Sequence, residues 1–399
     1  MVQRAYFQLP STTPSKPMAR ILYLTQIDID FGVINLLPQE ARRVGIAKPL
    51  VISDAGVRAA GVLDLALAAL GDLPHAVFDQ TPSNPTEAAV IVAAKVYRDQ
   101  ACSGLIAVGG GSSIDLAKGV AIAATHDGPL AHYATIEGGS ARISDRVLPL
   151  IAVPTTAGTG SEVARGAILI VTDGRKLGFH SWHLMPKAAL LDPALTLGLP
   201  PMLTAATGMD AIAHCLETFM APTVNPPADG IALDGLARGW AHIERATSDG
   251  QDRDARWAMM SASMQGAMAF QKGLGCVHSL SHSLGGADPR LHHGTLNAMF
   301  LPAVVRFNAA AESMQREKRL QRIAQAIGIA HCGRDGEEVA QALTAMNARL
   351  GLPTGLAAMG VTRGMFERII DGAIVDHCHL SNPRIATRED YRAMLEASM

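Results

Sequence analysis

Apolar positions follow two regimes along this chain. From Arg20 to about Pro193, short aliphatic and β-branched runs alternate with longer segments of helical periodicity. The runs are LVIS at 50–53, AVF at 76–78, LIAV at 105–108, LIAV at 150–153 and AILIVT at 167–172. Each stops at Gly, Pro, Asp or Thr, which predicts an α/β layer with a mainly parallel sheet. The run ends are expected to line one edge, where loops and helix N-termini collect ligands. Past about Asp192 the strand-like runs disappear, and Leu, Ala and Met recur at helical spacing through 229–246, 253–271, 295–309, 317–330 and 335–350. Met260, Met264 and Met268 read as one packed helix face. The expected organisation is an extension over 1–19, an α/β domain over 20–193 and an all-α domain over 194–399. Met18 is a possible alternative start.

Composition narrows the function classes. A length of 399 residues is comfortable for two domains, and 48% hydrophobic with 18% charged residues describes an ordinary soluble enzyme. A net charge of -2 offers nucleic acid no electrostatic footprint. Five scattered cysteines without a CxxC pair fit a reducing compartment, and no signal peptide or membrane span is apparent. A cytoplasmic location is therefore expected.

Histidines supply the candidate chemistry. In GLGCVHSLSHSLGGADPRLHHGTLN (273–297), His278 and His282 stand one helical turn apart, with His292 and His293 about ten residues later. In GMDAIAHCLE, Asp210 and His214 repeat the i,i+4 spacing, so both side chains fall on one helix face. Each of these histidines alone reads as an ordinary core or surface residue. Together with a carboxylate they suit a divalent transition metal. HSLSH lacks the glutamate of an HExxH helix, which argues against a peptidase.

The strand ends supply a second chemistry. GGGSSIDLAK places Gly109, Gly110, Gly111 and Ser112 where a turn can approach a phosphate, or simply turn tightly. It is not a GxGxxG fingerprint, because Ile114 occupies the third glycine position, and no GK[ST] follows. PTTAGTGSE adds hydroxyls at Thr155, Thr156, Thr159 and Ser161 that can wrap a nucleotide. Asp54, just past LVIS, can accept from a ribose diol or cap a helix; Asn84 can face a cofactor or hold its turn. Nucleotide loops in one half and metal ligands in the other suggest alcohol–carbonyl redox chemistry in the cleft between them.

In this order, GGGSSIDLAK, PTTAGTGSE, GMDAIAHCLE, GLGCVHSLSH and HHGTLN resemble the iron-containing (group III) alcohol dehydrogenase family over nearly the whole chain. The resemblance implies an N-terminal dinucleotide-binding domain, an all-helical C-terminal domain, NAD, and a divalent metal, Fe(II) with zinc also acceptable. The ligands it implies are Asp210, His214, His278 and His293. HGxxN selects His293, whereas counting from His278 selects His292. His282 would relay the proton, Asp54 would favour NAD over NADP, Asp115 would lie near the nicotinamide, and Lys187 would serve cofactor or substrate. A homodimer or larger assembly is also implied.

Within the family, YLTQIDIDFG, ATIEGGSARI, RKLGFHSWHL and VDHCHLSNPR are similar to 4-hydroxybutyrate dehydrogenases, implying interconversion of 4-hydroxybutyrate and succinic semialdehyde. Arg165, His180, His183 and His379 are the candidates for holding the carboxylate. Other alcohol dehydrogenases of the family and maleylacetate reductases are the alternatives. From other classes, a metal-dependent hydrolase would use the same ligands on water, and a nucleotide-binding regulatory protein would need only the loops.

Overall fold

The computed structural model describes residues 21–399, so the expected extension over 1–19 and Met18 lie outside the described residues. Six parallel strands form one sheet in the order β1-β8-β5-β4-β2-β3. They are β1 (Gln26–Ile29), β2 (Pro49–Ile52), β3 (Ala76–Phe78), β4 (Gly104–Gly109), β5 (Leu150–Pro154) and β8 (Ala188–Leu191). Around them run α1 (Leu37–Arg43), α2 (Ala55–Ala59), α3 (Val62–Leu70), α4 (Glu87–Asp99) and α5 (Gly111–Ala123).

Side chains alternate between the two faces. Leu50, Ile52, Leu105, Ala107 and Ala152 pack with α4 and α5, while Val51, Ile106, Val108, Ile151 and Val153 pack with α1 and α3. Burial on both faces explains why these strands read as unbroken apolar runs. The direction in which successive strands are added to the sheet reverses between β2 and β4, since β3 lies outward of β2 and β5 outward of β4. A crevice therefore opens at the carboxyl ends of β2 and β4.

AILIVT departs from expectation. It forms β6 (Gly166–Ile170), which pairs antiparallel with β7 (Lys176–His180) in a separate hairpin outside the parallel sheet. Asp173 and Gly174, the latter left-handed at φ 85°, turn the chain back before a crossover helix can form.

The second half contains α6 (Pro201–Met220), α7 (Pro226–Ser248), α8 (Arg253–Met268), α9 (Cys276–Ala287) and α10 (His293–Ala309). It continues with α11 (Glu312–Arg316), α12 (Arg319–Ala326), α13 (Glu337–Arg349), α14 (Phe366–Val375) and α15 (Arg388–Ala397). Helix α6 is buried without interruption from Thr204 to Met220, with α7, α8 and α10 packed around it. Among the described residues no helix is long and apolar enough to cross a membrane. Strand β8 joins the halves: Ala188 and Leu190 face the sheet's core, whereas Ala189 and Leu191 belong to the helical core.

Lys118 ties the hairpin to α5. Its fully buried ammonium donates among Ser161 O (2.7 Å), Ser161 Oγ (3.0 Å), Ala164 O (2.8 Å) and Gly166 O (2.6 Å). Burial lowers its pKa to about 8, opposed by Asp115 and Glu162. Removing one member of a buried charged network leaves the others uncompensated, so Lys118→Met is expected to lower stability by about 3 kcal/mol. An unchanged thermal unfolding midpoint would contradict that.

Candidate active site

Three helices bring four side chains around one carboxylate oxygen. Helix α6 carries Asp210 and His214 on one face, α9 carries His278, and α10 opens at His293. Asp210 Oδ1 lies 3.4 Å from His214 Nε2, 3.7 Å from His278 Nε2 and 3.7 Å from His293 Nε2. Asp210, His214 and His278 place their donor atoms within 4.8 Å of one another and His293 faces the same carboxylate, so the chemistry of this donor set fits a divalent transition metal once the ligands close on it. His292 is instead the exposed residue preceding α10. Gly294 permits the approach, because a Cβ there would stand 2.1 Å from the Ala206 carbonyl oxygen on α6.

Each imidazole is oriented through its other nitrogen. His278 Nδ1 meets Glu217 Oε2 at 2.5 Å, His214 Nδ1 meets Gly158 O at 3.1 Å, and His293 Nδ1 lies 3.4 Å from Ser281 Oγ. Such partners fix the tautomer and aim Nε2 at the shared carboxylate. Asn297 Nδ2 donates to Asp210 Oδ1 at 2.7 Å. Burial would raise the Asp210 pKa, but His214, His293 and His278 outweigh it and hold the carboxyl well below its usual range. Burial also lowers His214 to about 4, which keeps its lone pair free; for His278, Asp210 and Glu217 overcome burial and raise it to about 9.

His282 stands one turn beyond His278 and has a different partner. Its Nδ1 lies 3.0 Å from Asp376 Oδ2, and its ring stacks 5.3 Å from His293 and 5.7 Å from His377. A carboxylate can only accept, so the proton sits on Nδ1 and Nε2 is the free basic atom.

A cleft of about 640 Å³ runs from these residues to the sheet edge. Asn84, Gly111, Ser112, Asp115, Thr159, Ser161, Arg165 and His180 all line it. Gly111 packs so closely on Thr159 that a Cβ would meet it at 2.8 Å, and the amide end of α5 opens there. Such an end suits a phosphate. Thr155 N donates to Gly109 O at 3.1 Å, and Thr156 backs Gly110, so these four residues shape the cradle from behind. Asp54 caps α2 through Oδ1, which accepts from Val57 N at 2.9 Å, while Oδ2 accepts from Ser113 Oγ at 3.2 Å in the β2/β4 crevice. Asn84 spans the cleft, donating to Pro289 O at 3.3 Å and accepting from Lys176 Nζ at 3.0 Å. Both Asp115 oxygens are engaged, by Ser161 Oγ at 2.6 Å and Ile168 N at 2.9 Å.

Three expected residues are not brought in. Lys187 immediately precedes β8 and is exposed at the amino edge of the sheet, opposite the ligand edge. His183 is exposed on a short turn, and His379 is buried with Nδ1 2.9 Å from Tyr391 Oη. The C-terminal segment does reach the cleft, but through His377 and Cys378. Sequence reasoning also missed Glu217, Asn297, Asp376 and Lys176. Glu217 and Asn297 carried a signal, being three residues past His214 and four past His293 within quoted motifs.

Comparison with known proteins places this geometry. Family models for "Iron-containing alcohol dehydrogenase" and "Fe-containing alcohol dehydrogenase family, C-terminal" match residues 25–193 and 204–399. The chain belongs to the iron-containing alcohol dehydrogenase family. It is 67% identical to the 4-hydroxybutyrate dehydrogenase of Cupriavidus necator over 96% of this chain and 100% of that one. A solved 1,3-propanediol oxidoreductase superposes with TM-score 0.89 at 32% identity, covering 96% of this chain and 100% of that chain. The sulfoacetaldehyde reductase of Bifidobacterium kashiwanohense, solved with NAD+, gives TM-score 0.86 at 25% identity, covering 96% and 99%.

For this alcohol dehydrogenase, Glu217→Gln is expected to weaken metal retention about 10–100-fold, the usual effect of losing an outer-shell partner. Chelator competition measures it, and parental retention would show that Glu217 does not orient His278.

Proposed function

We propose that this enzyme interconverts 4-hydroxybutyrate and succinic semialdehyde, using NAD and a divalent metal, Fe(II) in preference to zinc. The observation that carries this is the near-full-length 67% identity to a 4-hydroxybutyrate dehydrogenase, in a chain whose four ligand side chains gather around one carboxylate oxygen. The metal, when bound, polarises the substrate oxygen, and NAD accepts the hydride.

The chain's own residues do the rest. Asp210, His214, His278 and His293 would hold the metal. Gly109–Ser112 and Thr155–Ser161 would cradle the pyrophosphate, with Asp54 accepting from the adenosine ribose. His282 takes the hydroxyl proton at Nε2, and Asp376 stabilises the cation that forms. Phe270, whose ring lies 4.7 Å from that of His214, helps to shield the site from water.

Five buried free cysteines support a cytoplasmic setting. A homodimer or larger assembly agrees with the exposed apolar side chains Ile91 and Val92 on α4.

Steady-state NADH formation by metal-loaded protein tests the substrate: kcat/KM for 4-hydroxybutyrate should exceed that for ethanol, 1-butanol and 1,3-propanediol. Equal or better turnover of 1,3-propanediol would favour the chemistry named for the solved neighbour. His278→Ala should remove bound metal and turnover together, and full activity in a metal-free variant would sink the proposed role of the metal. Asp54→Asn keeps a capping oxygen while removing the charge. It should shift the NADP/NAD kcat/KM ratio upward about tenfold, the size of one like-charge contact of about 1.4 kcal/mol, and an unmoved ratio would place the ribose elsewhere.

A further inference from the structure

Three basic side chains face the cleft, and two are already engaged. Lys272 pairs with Asp229 and donates to Phe219 O at 3.2 Å. Lys176 donates to Asn84 Oδ1 and is drawn toward buried Asp115. Arg165 differs. Its guanidinium rests 4.7 Å above the Trp182 ring, and among the described residues it has no hydrogen-bonded acceptor or paired carboxylate. A guanidinium exposed at the wall of the cleft and steadied on an aromatic face, with its N–H fork unspent, is suited to an anion.

A second donor stands beside it. Arg165 adjoins Gly166, the cross-strand partner of His180 in the β6–β7 hairpin. The His180 ring is seated between Gly166 and Gly178, where a Cβ on either would come within 2.9 Å of it. Thr135 Oγ1 stands 3.1 Å from Ser140 Oγ and 2.9 Å from His180 Nδ1, so its hydroxyl is able to donate to Nδ1 while accepting from the serine. In that tautomer the ring proton stands on Nε2, as a neutral donor. Burial, with His377 and Arg165 nearby, pushes the imidazole down to about 3, consistent with a ring that stays neutral.

The hairpin lies at a useful distance from the metal ligands. From His293 the rings step to His282 (5.3 Å), His377 (5.7 Å) and His180 (5.0 Å), so His180 closes the far end of a row of imidazoles. An extended four-carbon hydroxy acid, with a hydrogen bond at each end, reaches about 10 Å, which is the scale of the two ring steps from His282, the residue that faces the hydroxyl, through His377 to His180.

We infer that Arg165 and His180 form the subsite for the distal carboxylate of the substrate, Arg165 supplying the charge and His180 Nε2 a neutral hydrogen bond. The inference rests on the 4-hydroxybutyrate reading above. It assigns the choice between an ω-hydroxy acid and a plain alcohol to the hairpin, away from the metal and the nicotinamide.

The test compares 4-hydroxybutyrate with 1,4-butanediol, which has the same chain without the carboxylate, on metal-loaded protein. Calorimetric binding without NAD and kinetics with it are both measured. Arg165→Gln should weaken 4-hydroxybutyrate binding and raise its KM at least tenfold, while changing both values for the diol less than threefold. Arg165→Lys should recover part of the loss, and His180→Phe, which keeps a ring between the glycines, should reproduce the selective loss more weakly. Unchanged 4-hydroxybutyrate binding in Arg165→Gln, or equal losses for acid and diol, would overturn the subsite. The two proposals fail separately. A parent that binds the acid through Arg165 without oxidising it would end the proposed reaction and keep the subsite; a parent that oxidises it and an Arg165→Gln that does so equally well would do the reverse.

Discussion

One buried carboxylate organises the helical half. Asp210 is 3% exposed, in the middle of a helix that is itself enclosed. An isolated charge there would be too costly to keep, and the fold answers it with imidazoles from α6, α9 and α10 and with the Asn297 amide. Those helices must then meet at fixed heights. Gly294 lets α10 touch α6, and Glu217 binds both His278 and the Val277 backbone N–H, pinning the first turn of α9 to α6. The requirement to satisfy one oxygen thus sets how three helices pack.

The same constraint reaches the sheet. Gly158, which orients His214, belongs to the loop leaving β5, and three residues later Ser161 binds Asp115 on α5. Thr159, between them, supports the glycine cradle. One short loop therefore touches both the Asp210–His214–His278 cluster and the glycine turn that opens α5, so their separation is fixed by chain geometry, and β8 packs into both cores. Hydride transfer depends on such preset distances.

How much was legible follows from where each signal lay. Unbroken apolar runs gave β2 to β5, because burial on both faces leaves little else for such residues to do. QIDI and AALL were too short and too plain to announce β1 and β8, and the reversal at Asp173–Gly174 diverted AILIVT into a hairpin. The Asp210–His214 and His278–His282 pairs were readable because i,i+4 spacing is a local property of a helix. Their partners were less so: Asp376 lies 94 residues from His282, and only the fold brings them together. DHCH presented two histidines, and nothing local reveals that His377 turns into the cleft while His379 turns toward Tyr391. Lys187 shows the converse error, a basic residue next to a strand but at its wrong end.

The two walls of the cleft are under different constraints. On the wall that carries the histidine cluster, each imidazole is tied through its second nitrogen to a carboxylate, a carbonyl or a hydroxyl, so exchanging one residue strands buried polar partners at a cost of several kcal/mol. On the opposite wall, the hairpin buries only alternate residues, and Arg165 is anchored by a ring contact without a network behind it. Replacing such a side chain strands nothing, so that wall can be refitted to a different alcohol while the reaction centre stays intact. Relatives of the same fold carry names as different as 1,3-propanediol oxidoreductase and sulfoacetaldehyde reductase. A rigid wall for chemistry facing a wall whose backbone is fixed but whose Arg165 side chain is lightly anchored is sufficient to accommodate that range.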